Sequence, residues 1–113
     1  MTEVPSLGEL EQLVLLAILQ CGDDAYTVPI GERLAQGRRR LARGALYTSL
    51  DRLESKGLVQ SRLGEPLAVR GGRARRYFAV TPAGLDGLRA ARHALLTLSE
   101  GLESVLDMKV AKP

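Results

Sequence analysis

The chain has 113 residues, 45% of them hydrophobic and 26% charged, with a single cysteine; this suits one domain with a modest core and excludes a disordered chain, an internal disulfide framework and a multi-cysteine zinc site. Its longest strictly apolar run, Leu13–Leu19, falls far short of the roughly 20 residues of a membrane span, and no basic residue precedes it as in a secretory signal, so no membrane association and a cytoplasmic location are expected. The net charge of +3 hides a polarity: residues 1–32 carry six acids and no Lys or Arg, residues 33–76 twelve bases against three acids, and residues 77–113 four of each, a basic middle that suits a polyanionic partner.

Ser6, followed three residues later by Glu9, has the form of a capping box. It predicts a first helix running to Cys21, with Gly22 as its stop. Apolar residues dominate this segment, so burial on most of its circumference is expected, with Glu9, Glu11, Gln12 and Gln20 outside. A second helix is expected over AYTVPIGERLAQG. Thr27 can cap it, Pro29 is tolerated in the first turn, and Tyr26, Ile30 and Leu34 share one face. Arg38–Arg43 reads as a basic connector with room for a short strand. The third helix, GALYTSLDRLESKGL, places Leu46, Leu50 and Leu53 at i, i+4 and i+7, a buried stripe.

From Leu58 the period changes. LVQSRLGE and RRYFAVT alternate like strands and are rich in β-branched and aromatic residues. PLAVRGGRA joins them as the basic tip of a hairpin. Thr81-Pro82 starts a last helix, Thr at the cap and Pro at the first position, expected to reach about Met108 before a frayed tail. Leu88, Ala91, Leu95, Leu98, Leu102 and Val105 recur along it at heptad spacing and form the expected dimerisation seam. The fold class is therefore mainly α with a β-hairpin: a winged helix-turn-helix over residues 1–81, then a long C-terminal dimerisation helix and tail over residues 82–113.

That layout puts the third helix in a major groove and the basic hairpin, the wing, on the backbone or minor groove of double-stranded DNA. Opposite its leucine stripe the third helix presents Gly44, Thr48, Asp51, Arg52 and Ser55, flanked by Ala45, Tyr47, Ser49 and Lys56. Arg52 and Thr48 are the expected base-edge readers. Tyr47, Ser49 and Lys56 suit phosphates. Arg70, Gly72, Arg73, Arg75 and Arg76 form the wing contacts. Asp51 faces the same surface and would repel phosphate unless it accepts from cytosine. His93 has no partner for metal or catalysis, Cys21 reads as a structural thiol, and no carboxylate pair or nucleophile–histidine pair suggests an enzyme. No cofactor is expected. A second reading uses the same basic face to bind an acidic protein.

Four segments together, LGELEQLVLLAIL, DDAYTVPI, GALYTSLDRLESKGLV and GGRARRYFAVTPAGL, resemble the PadR family of bacterial transcriptional regulators over roughly residues 7–106. The resemblance implies a homodimeric winged-helix repressor, and two-fold symmetry then predicts an inverted-repeat operator. It implies recognition roles for Tyr47, Thr48 and Arg52 and wing roles for Gly72, Arg73 and Arg76. The single short C-terminal helix resembles the compact subgroup. The family often has a small hydroxyl residue two positions before the glycine that opens the third helix; here Ala42 stands there, so that side-chain cap is expected to be missing and Arg43 is the expected substitute for a phosphate contact. Family members often respond to small molecules. With no Trp, one Phe and all three Tyr inside the winged-helix body, a small apolar pocket between subunits is the place left for an effector.

Overall fold

The structure, a computed structural model, describes residues 6–65 and 74–107. Four helices, a hairpin and a short final turn of helix follow one another: α1 (Glu9–Cys21), α2 (Thr27–Gln36), α3 (Arg43–Ser55), β1 (Val59–Leu63), β2 (Arg76–Val80), α4 (Pro82–Ser99) and α5 (Glu103–Leu106). A 3-10 turn, Gly22–Asp24, links α1 to α2.

α1 begins two residues later than the Ser6–Glu9 pattern predicts. Its cap is Gly8, whose N–H is accepted by the Glu11 carboxylate at 3.0 Å. The reciprocal side-chain bond that Ser6 would have supplied is absent, because a glycine in extended conformation starts the helix instead. α1 is also less enclosed than its composition suggests. Val14, Leu15, Ala17 and Ile18 are buried, but Leu16 and Leu19 face outward.

α2 and α3 follow their apolar spacing. Ile30 and Leu34 are buried and Tyr26 half-buried; Leu46, Leu50 and Leu53 are all buried. The connector between the helices contains no strand, and Leu41 within it packs against the core. α3 ends in a double bond pattern: the Leu58 N–H donates to the Leu53 carbonyl and the Gly57 N–H to the Glu54 carbonyl, both at 2.9 Å. This closes the orphan carbonyls of the helix end and brings two buried leucines together, which sets the direction in which β1 leaves.

β1 and β2 pair antiparallel in the register Val59–Val80, Ser61–Phe78, Leu63–Arg76. The far edge of β2 is partly covered, since the Phe78 N–H donates to the Ala25 carbonyl at 2.8 Å. One face of the hairpin carries Val59 and Phe78 into the core shared with α1, α2 and α3.

Thr81 ties the hairpin to α4. Its hydroxyl donates to the Gly57 carbonyl at 2.7 Å and accepts from the Gly84 N–H at 3.1 Å, so one side chain both caps α4 and grips the turn after α3. Gly84 lies so close to that turn that a Cβ there would stand 2.3 Å from the Leu58 carbonyl oxygen. The first half of α4 belongs to the common core through Leu88. The helix stops at Ser99 rather than near Met108: Gly101 takes φ 84°, a left-handed conformation that interrupts the helix before α5.

Candidate nucleic-acid interface

α3 has two unlike faces. Its leucine stripe is in the core, and Gly44, Ala45, Tyr47, Thr48, Asp51, Arg52 and Ser55 are exposed on the other side. The helix starts after Ala42 with no side-chain cap, as the methyl group requires. Gly44 and Ala45 keep the N-terminal end of the helix thin. The Thr48 hydroxyl donates to the Gly44 carbonyl at 3.0 Å. Its proton is therefore engaged within the helix, and Thr48 offers an acceptor and a methyl group outward rather than a donor. Arg52 forms no ion pair among the described residues and leaves its donor fork free. Tyr47 is 41% exposed, a ring that flanks the face rather than filling the core. Ser49 is half-buried and sits back from it.

Arg43 at the start of α3 is exposed and lines a groove of about 350 Å³ between α2 and α3. Arg40 shares that groove, with Thr27 and Val28 on its other wall. Arg40 had no assigned role in the sequence. The only hint was the RRRLAR run, and a charge run does not say which of its members the chain turns toward a neighbouring helix.

Three expected contacts lie differently. Lys56 donates to Glu11 at 2.5 Å across the α1–α3 junction, and this hydrogen bond holds the Glu11 carboxyl below its usual pKa against the opposing effect of partial burial. Arg75 lies over the Tyr26 ring at 4.2 Å, and Tyr26 meets Tyr77 edge-on at 5.8 Å. Arg76 is drawn into the protein. It bonds Glu54, Asp51 (3.2 Å) and Ser61 (3.0 Å) and stacks over Phe78. The reason is the strand period of two: Arg76 is on the same face of β2 as buried Phe78. Its guanidinium therefore turns toward α3 and β1 rather than outward along the wing. Arg70, Gly72 and Arg73 lie outside the described residues.

The arrangement is three helices with a hairpin folded against the third, whose outer face is exposed among the described residues with Arg43 at its start and Arg52 toward its end. Residues 15–90 match the family described as Transcriptional regulator PadR-like family. The chain belongs to that family. Solved PadR structures share the winged-helix fold. A PadR family transcription regulator from Clostridium difficile R20291 superposes with a TM-score of 0.71 at 24% identity, covering 88% of this chain and 99% of the other. A PadR family regulator from Eggerthella lenta DSM 2243 gives 0.63 at 29% identity, covering 89% and 88%. A PadR-like transcription factor from Bacteroides fragilis gives 0.65 at 25% identity, covering 85% and 88%. A search of curated proteins gives no match.

This PadR chain leaves a second surface uncovered. Of the six seam residues, Leu88 is buried within its own subunit and Ala91 is half-buried; Leu95, Leu98, Leu102 and Val105 are exposed. Leu102 and Val105 lie beyond the break at Gly101, so the seam does not run along one continuous helix. Leu16 and Leu19 of α1 meet Leu85, Leu88 and Leu95 of α4 around an apolar groove of about 310 Å³ rimmed by Arg89 and Arg92. Burial raises the pKa of the Cys21 thiol, which favours the unreactive thiol form. Among the described residues no three His, Cys, Asp or Glu side chains are grouped to hold a metal ion, and no helix is long and apolar enough to cross a membrane.

Proposed function

We propose that this chain is a dimeric, sequence-specific DNA-binding repressor. One observation carries the reading: α3 buries one face completely and offers on the other a thin, uncapped start, an Arg52 with no ion pair among the described residues, and the Thr48 acceptor and methyl group. A major groove admits one such helix. Arg52 is suited to the acceptor pair of a guanine, and Thr48 to a thymine methyl or a base-edge donor. Arg43, Arg40 and Tyr47 flank this face and suit phosphates. In this reading the wing residues Arg70, Gly72 and Arg73 meet the backbone or minor groove. Leu95, Leu98, Leu102 and Val105 pair with a second copy, which doubles a reading head too small to bind tightly alone and calls for an inverted-repeat operator. The α1–α4 groove is where this reading places a small-molecule effector.

The test is fluorescence anisotropy against the DNA upstream of the chain's own gene, beside a scrambled duplex, titrated over salt. Selective binding at one dimer per site, weakening steeply with salt, is the expected result. Equal weak binding to both duplexes would reduce the face to a general basic surface.

A further inference from the structure

The most connected polar cluster among the described residues is not at the exposed α3 surface but beside it. One guanidinium, that of Arg76, bonds three groups on two elements. Its Nη2 meets Glu54 of α3, its Nη1 meets Asp51 of α3 at 3.2 Å, and its Nε donates to Ser61 of β1 at 3.0 Å. Ser61 in turn donates to the other oxygen of Glu54 at 2.7 Å. The flat guanidinium lies over the Phe78 ring, 5.0 Å from its centre. Three elements, α3, β1 and β2, thus meet through one side chain. The hydrogen bond from Ser61 and the nearby Arg76 charge hold the Glu54 carboxyl below its usual pKa, so the carboxylate stays charged.

Asp51 and Arg52 are consecutive on the free face of α3, and Asp51 is exposed. An uncompensated carboxylate there would face the phosphates that flank any base Arg52 reads. With Glu54 one turn along, the edge of the face would carry two negative charges against a polyanion. Arg76 supplies the opposing charge at both. Because its donors are fixed in a plane, it can do so only while the hairpin holds one angle to α3.

Resting on the reading of α3 as the base-reading helix, we propose that Arg76 is a positioning residue: it clamps the hairpin to α3 and cancels Asp51 and Glu54 without itself touching DNA. The role separates from a phosphate contact by what rescues its loss. Arg76→Ala is compared in the natural background and in one carrying Asp51→Asn and Glu54→Gln. In the natural background it should weaken operator binding at least tenfold. In the neutralised background the loss should shrink to within about threefold. The slope of log affinity against log salt should be unchanged, whereas deleting a phosphate contact lowers it by about 0.9. Equal losses in both backgrounds with a shallower slope would overturn the proposal.

Thermal unfolding of the free proteins gives an arm that needs no DNA. Arg76→Ala should lower the midpoint clearly in the natural background and much less in the neutralised one; equal drops refute the clamp. If the natural protein binds no duplex selectively, the repressor reading falls and this arm still decides the clamp. Arg76→Lys keeps one charge and cannot make the three bonds together. It should recover most of the affinity and little of the midpoint, and it replaces the alanine variant should that fail to fold.

Discussion

Two leucine stripes in this chain have nearly the same spacing and opposite fates. Leu46, Leu50 and Leu53 of α3 are at most 3% exposed, sealed against α1, α2 and the hairpin. Leu95 and Leu98 of α4 are 65% and 78% exposed. The first stripe closes the subunit's own core and fixes which face of α3 is left over. The second begins in that core at Leu88 and then runs off its edge. An apolar period thus says that a face will be covered; whether the same chain covers it depends on how far the helix extends past its neighbours.

Substitution separates the two stripes most strongly at their centres. Leu50→Ala should cost about 2–5 kcal/mol in unfolding, since it leaves a cavity where no neighbour can collapse fully. Leu95→Glu should leave the folding of a single subunit within about 0.5 kcal/mol yet abolish self-association in sedimentation equilibrium. A Leu95→Glu protein that still forms dimers would move the interface off the α4 stripe.

The junction between the stripes is the next place to press. Gly84→Ala puts a methyl against the Leu58 carbonyl, and the backbone on both sides is held by Thr81. A loss of about 1–3 kcal/mol is expected from the overpacking, read by chemical denaturation. No loss would mean that α4 shifts freely along the hairpin turn.

The exposed face opposite the α3 stripe answers to binding instead of folding. Arg52→Ala should cost about 1–3 kcal/mol of operator binding and leave non-specific binding almost intact. If both fall equally in anisotropy titrations, Arg52 holds a phosphate rather than a base.

The smallest effect concerns the ion pair behind the α3 stripe. Glu11 has a depressed pKa in the fold because Lys56 donates to it. Such a group adds stability above the ordinary carboxylate value and loses it as the pH falls through the lower folded value. Glu11→Gln should therefore cost about 0.5 kcal/mol near neutral pH, the scale of an exposed pair. The difference from the natural protein should begin to shrink below about 4.5 and vanish once the pH is under the lower folded value. A difference that persists in acid would place the effect in the Gly8 cap alone.

Much of the architecture was legible from residues alone because the signals are local. The stripe of α3, the Thr81-Pro82 start of α4 and the change of period after Leu58 each depend on neighbours within a few positions. The candidate face of α3 follows from its stripe by geometry. The start of α1 is not legible locally, because two glutamates lie within cap reach and only the path of the chain before Gly8 selects Glu11 over Glu9. The end of α4 is hidden in the sequence, because apolar spacing persists beyond Gly101 although the helix does not.

By itself the sequence determined which segments are helix or strand, which face of each is apolar, and that the basic charge gathers around the third helix and the hairpin. Periodicity and turn chemistry act over a few residues, so they are written where they act. Tertiary structure alone decided the partners of the charged side chains. Lys56 meets a glutamate 45 positions away, and Arg76 meets carboxylates 22 and 25 positions away. No local pattern holds those distances, because they arise only when the hairpin folds back on α3 and α3 crosses α1.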